Sequence, residues 1–133
     1  MRRVFLDTVG LIAVCDVTDQ WHEPADMAMR TLMKSPCITF ASESVLLECG
    51  NAASRRPYRD DVSHLRRKLL IGERVVNATD EELQLAWDAY DRREAAGAGS
   101  VDQISFILMR RLGITEAFTN DEHFRSAGFV TLF

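Results

Sequence analysis

Four of the twenty acidic residues in this 133-residue chain stand where solvation alone does not account for them. Asp7 directly follows the apolar run Val4-Phe5-Leu6, at the carboxyl end of a first strand. Glu48 shares a helical face with Val45, three residues before it, and Ala52, four after it. Asp102 precedes the apolar run Ile104–Met109 in a first helical turn, and Asp121 ends a strand and starts a helix. Each has an ordinary structural alternative. Asp7 and Asp121 can cap the helices after them, and Asp102 can favour a helix dipole. Glu48 is harder to explain that way, because a carboxylate on an apolar face is costly unless paired.

Taken together, three of the four map to the strand-exit edge of one sheet, where open α/β sheets gather ligands. Two unit charges ~4 Å apart repel by about 4 kcal/mol at an effective dielectric near 20. A cluster of carboxylates therefore needs shared protons or a cation. An all-oxygen donor set suits the hard ions Mg²⁺ or Mn²⁺, which keep water and substrate phosphate in their shells. Such an ion lowers the pKa of bound water and offsets charge on a phosphodiester under attack. The chemistry this points to is phosphodiester hydrolysis.

The elements that must position these acids alternate. Strands are expected at Arg3–Leu6, Pro36–Phe40, Arg74–Asn77, Ala117–Thr119 and Phe129–Leu132. Helices are expected at Thr8–Val14, Trp21–Met33, Ser44–Ala53, Asp60–Leu70, Val101–Leu112 and Asp121–Ser126. Another follows the capping box Thr79-x-x-Glu82, with Leu83, Ala86, Trp87 and Tyr90 as its stripe. Ser100-x-x-Gln103 reads as a second capping box, entered from the loop Ala95–Gly99. Alternation of this kind predicts a mainly parallel sheet with helices on both faces.

Composition sets bounds on the function. With 47% hydrophobic and 27% charged residues, the chain is one ordinary globular domain spanning residues 1–133. Its longest apolar stretch, Val9–Cys15, is too short to cross a bilayer, and nothing after Met1-Arg2-Arg3 resembles a leader cleavage site. Cys15, Cys37 and Cys49 sit in apolar stretches without C-x-x-C spacing, as expected of reduced thiols in a cytoplasmic protein. The net charge of −4 argues against a simple polybasic nucleic-acid binder. Fourteen of the sixteen basic residues are nevertheless Arg, the side chain suited to forked contact with phosphate. Arg55, Arg56 and Arg59, with Arg66, Arg67 and Lys68, form the densest basic flank. That flank can steer RNA or can be a solvated helical hairpin.

The segments carrying the acids resemble PIN-domain nucleases, in the manner of a VapC-type toxin of a type II toxin–antitoxin system. Val4-Phe5-Leu6-Asp7-Thr8 is similar to the family's opening, and Val45-Leu46-Leu47-Glu48 to its second acidic motif. Ser100-Val101-Asp102 with Ile104-Ser105-Phe106 resembles the third motif. Thr119-Asn120-Asp121-Glu122-His123-Phe124 with Gly128-Phe129 resembles the last and most specific one. Val9-Gly10 departs from the pattern, where a small polar residue is common.

The resemblance implies a three-layer α/β/α fold with a roughly five-stranded parallel sheet, and a metal-dependent endoribonuclease using Mg²⁺ or Mn²⁺. By the same carry-over, Asp7, Glu48, Asp102 and Asp121 are the catalytic quartet. Asp7, Asp102 and Asp121 are metal ligands, and the Thr8 hydroxyl supports Asp7. An RNA substrate, a cognate antitoxin and a homodimer are implied as partners. Two alternatives stay open: a housekeeping RNA-processing nuclease, and a PIN-like module that binds RNA or protein without cutting. His123 is read as packing rather than as an acid–base group, and His22 and His64 show no ligand spacing.

Overall fold

Val4, Phe5 and Leu6 are consecutive and all buried, which only a strand covered on both faces permits. The computed structural model describes residues 1–133 and places this strand, β1 (Arg2–Leu6), at the centre of the sheet. The chain continues through α1 (Thr8–Cys15), α2 (His22–Leu32), β2 (Cys37–Ser42), α3 (Glu43–Ala53), α4 (Arg59–Ile71) and β3 (Val75–Val76). It then passes α5 (Asp80–Asp91), α6 (Glu94–Gly97), α7 (Ser100–Leu112), β4 (Glu116–Phe118), α8 (Glu122–Ser126) and β5 (Val130–Thr131). Every strand pairing is parallel, in the order β3-β2-β1-β4-β5. The α/β fold and five-stranded parallel sheet expected from the sequence are the ones observed.

Two sequence expectations shift. The second strand runs on to Ser42, because Ala41 and Ser42 pair with Val75 and Val76 of β3. Ser42 then caps α3 by accepting the Val45 amide at 3.0 Å, so strand and helix meet without a loop. The second expected capping box does not form. Gly99 is the residue before α7, Ser100 is already helical, and the Gln103 carboxamide turns inward instead of reaching back. The first box forms as expected, with Thr79 and Glu82 bonded reciprocally at 3.0 and 3.1 Å.

An aromatic cluster fixes α7 against α8 and β5. Phe106 meets Phe124 edge-to-face at 4.9 Å between ring centroids and stacks on Phe129 at 5.7 Å. Phe106 lies one turn beyond Asp102 on the same face of α7, and Phe124 lies three residues beyond Asp121. The packing beneath therefore decides how near the two acids stand above. No helix is long and apolar enough to cross a membrane.

Candidate active site

Parallel register brings the first pair of site residues together. Leu6 of β1 lies beside Phe118 of β4, so the next residues, Asp7 and Thr119, leave the sheet side by side. The Thr119 hydroxyl donates to Asp7 Oδ2 at 2.8 Å, and both residues are buried. The same Thr119 oxygen accepts the Asp121 amide at 3.1 Å. One hydroxyl thus ties the first acid to the last, across more than a hundred residues of sequence. Asp7 occupies the cap position of α1, yet its side chain makes no capping bond and is free for this contact.

The Thr8 amide bonds Asp7, but the Thr8 hydroxyl does not support it as the resemblance implied. That hydroxyl donates to Glu48 Oε1 at 2.7 Å, because α3 packs against α1 and sets Glu48 opposite the first residue of α1. Glu48 and Ala52 are exposed, so the desolvation cost expected of a carboxylate on an apolar face does not arise. The bond orients Glu48 rather than compensating its burial. The residue that holds Asp7 is Thr119, visible in the sequence only as the first letter of the terminal motif.

Asp102 and Asp121 converge at the far side of the site. Oxygen atoms of both and a ring nitrogen of His123 lie within 4.8 Å of one another. Asp121 caps α8, its Oδ1 accepting the His123 amide at 2.9 Å. The same Oδ1 lies 2.8 Å from His123 Nδ1. A carboxylate oxygen only accepts, so the proton of that bond sits on Nδ1 and Nε2 is left free. His123 was read from the sequence as packing; the structure makes it the neighbour that orients Asp121.

Electrostatics bear out the crowding. Burial first, and then the charges of Asp102 and Asp121, push Asp7 up to about 7, against the bonds from Thr119 and the Thr8 amide. Burial, then Asp121 and Glu48, push Asp102 up to about 6. Oxygen donors that repel one another at neutral pH, with one imidazole nitrogen beside them, fit a hard divalent cation. The stated basic flank is less available. Arg56 pairs with Asp16 at 2.9 Å and lies over the Tyr58 ring, and Arg59 donates to the Ser54 carbonyl. Arg66 pairs with Glu43, whereas Arg55 makes no such bond and is exposed.

A stability profile tests this reading. An acid whose pKa is raised on folding binds extra protons in the folded state, so stability falls as pH rises between the two values. For Asp7 that window runs from its ordinary 3.8 up to about 7. With chelator present, Asp7→Asn should melt a few degrees above wild type at pH 8. The gap should close as pH falls towards 4. Parallel melting curves across that range would show that Asp7 carries no such strain.

No protein-family model matches the chain. It is 30% identical over 128 residues to the 23S rRNA-specific endonuclease VapC20 of Mycobacterium tuberculosis, spanning 96% of this chain and 95% of that relative. The chain belongs to the VapC family of PIN-domain endoribonuclease toxins. The crystal structure of VapC20, titled as a sarcin–ricin loop cleaving toxin, superposes with a TM-score of 0.80 at 28% identity over 96% of each chain. FitAcB of Neisseria gonorrhoeae shares the fold alone, with a TM-score of 0.63 at 12% identity over 96% of this chain and 95% of that one.

Proposed function

We propose that this VapC toxin hydrolyses RNA with a divalent cation, Mg²⁺ or Mn²⁺, held by Asp7, Asp102 and Asp121. The observation that carries this is the convergence of Asp102 and Asp121 with His123, beside an Asp7 close enough for both of their charges to raise it, a repulsion that a cation would relieve. When bound, the ion supplies an activated water and offsets charge on the phosphodiester. The chain's own residues do the rest. Thr119 and the Thr8 amide hold the Asp7 carboxylate in place at the end of β1. His123 and its own amide fix Asp121 Oδ1, leaving the other oxygen to face the site. Glu48, exposed and oriented by Thr8, is the carboxylate to which we give the role of accepting a proton from the attacking water.

Ribosomal RNA is the substrate class we propose, since the curated relatives are named for 23S rRNA. Arg55 and Lys68 are the basic side chains of the flank left free to meet its backbone. A cognate antitoxin belongs to the same proposal, its tail covering the cleft of about 550 Å³ between α3 and α4. Leu47, 62% exposed, and Arg66 line that cleft. A homodimer completes it, checked by sedimentation of the purified chain.

The test is a sarcin–ricin loop oligonucleotide incubated with the protein and Mn²⁺. The expected products carry 5′-phosphate and 3′-hydroxyl ends, and chelator stops the reaction. Ends bearing a 2′,3′-cyclic phosphate would reveal attack by the RNA's own hydroxyl and overturn the assigned roles. Millimolar Mn²⁺ or Mg²⁺ should also raise the melting temperature, as a ligand of the folded state must.

A further inference from the structure

Between α5 and α7 the backbone does something that its residue types do not favour. Arg93, Ala95 and Ala96 have φ of 57°, 52° and 58°, and Gly97 follows at 79°. Left-handed backbone is ordinary for Gly and tolerable for Asn or Asp, whose side chains bond locally. Alanine has no such help. A run of this kind persists only when its surroundings over-determine it.

Its own backbone closes it, the Gly97 amide on the Arg93 carbonyl at 3.1 Å and the Ala98 amide on the Glu94 carbonyl at 3.3 Å, and Gln103 braces it from α7. The Gln103 side chain is 3% exposed and donates from Nε2 to the Glu94 carbonyl at 3.0 Å and the Ala98 carbonyl at 3.4 Å. Its backbone amide makes an ordinary helical bond of α7 to the Gly99 carbonyl at 3.0 Å. The side chain alone therefore ties the helix to the two ends of the turn, Glu94 and Ala98. A buried carboxamide is costly unless its donors are used, and an apolar residue would fill the same space. Here its donors are spent on the turn. The turn in turn packs against α8, the helix that Asp121 caps, while Gln103 itself adjoins Asp102.

We propose that Gln103 is a positioning residue: by clamping the left-handed turn between α7 and α8, it sets Asp102 against Asp121. The inference rests on the metal-dependent nuclease reading above. It predicts that losing the clamp loosens the acids without unfolding the chain. A displacement on the order of 1 Å suffices to lower turnover strongly.

The experiment measures kcat, KM and melting temperature of the full chain on the RNA oligonucleotide with Mn²⁺. Gln103→Leu should lower kcat about tenfold at temperatures where it is fully folded, with KM changed less than about twofold. Adding Ala95→Gly and Ala96→Gly removes the strain, because Gly accepts left-handed backbone freely. That pair should restore kcat in the Gln103→Leu background and leave it unchanged in wild type.

A structural role alone would shift the melting temperature and leave kcat of the folded protein where it was. Wild-type kcat in Gln103→Leu, or no recovery with the glycine pair, overturns the proposal. If Gln103→Leu fails to fold, Gln103→Met, unbranched and of similar length, is read by the same outcomes. Failure of both to fold, even with the glycine pair, also overturns it. Asp102→Asn keeps the two readings apart. Where wild type cleaves, Asp102→Asn does not and Gln103→Leu is indifferent, only the clamp is lost. Where Asp102→Asn cleaves like wild type, the nuclease reading falls and the clamp with it.

Discussion

Asp102→Asn should lower RNA cleavage by about 10²–10³-fold, the scale of losing one electrostatic stabiliser of a transition state. The substitution is isosteric, so Phe106 one turn below keeps its contacts with Phe124 and Phe129. It also removes a charge that repels both Asp7 and Asp121. The metal-free variant should therefore melt no lower than wild type at pH 8. Its response to Mn²⁺ should disappear, since an amide oxygen is a poor substitute for an anionic ligand. In cells, expression of wild type should halt bacterial growth and the variant should be tolerated. Cleavage within tenfold of wild type, measured on the same oligonucleotide, would remove Asp102 from the site.

What makes that variant informative is where Asp102 came from. Its place was legible because an acid in the first turn of an apolar helix, after a glycine loop, has few structural duties. Asp7 was legible for a similar reason, as a charge that ends an apolar strand abruptly. Their partners were not. That Thr119 bonds Asp7 depends on the register of β1 against β4, which no local pattern encodes. The resemblance gives the Thr8 hydroxyl to Asp7, whereas helix packing gives it to Glu48.

Gln103 shows the same limit more sharply. Ser-x-x-Gln looks like a capping box whether the carboxamide reaches back to the cap or inward to a turn. Only the positions of the Glu94 and Ala98 carbonyls decide between them. His123 was discounted because it stood beside Phe124, yet one helical cap carries both, sending Phe124 into the core and His123 to Asp121. Helix stripes and strand runs are local signals; which polar group meets which is a tertiary outcome.

Gly10 joins fold and site most tightly, and it belongs to the pair Val9-Gly10 at which the sequence departs from the resemblance. A Cβ at this position would collide with the Phe118 carbonyl oxygen, and would stand 2.7 Å from Phe118 Cδ1 and 2.8 Å from the carbonyl carbon. The carbonyl belongs to the central sheet and cannot swing aside. That same oxygen accepts the Asp7 amide at 3.4 Å, so α1 approaches β4 at the very point where Asp7 leaves the strand.

Gly10→Ala must therefore push α1 off the sheet or bend β4. Overpacking of this kind costs about 3 kcal/mol, less about 1 kcal/mol that alanine returns in helix propensity. The net loss should lower the melting temperature by roughly 6–10 °C in a domain of this size. Since α1 carries Asp7 at its start and Thr8 in its first turn, cleavage by the folded fraction should fall as well. Gly50, on α3 with nothing near its would-be Cβ, supplies the contrast. Gly50→Ala should hold or raise the melting temperature, because it gains helix propensity without a clash. Equal melting temperatures for the two alanine variants would mean that α1 does not press on Phe118 as described. A low one for Gly10→Ala, with loss of activity beyond the loss of folded protein, ties the absence of a side chain at position 10 to the placement of Asp7.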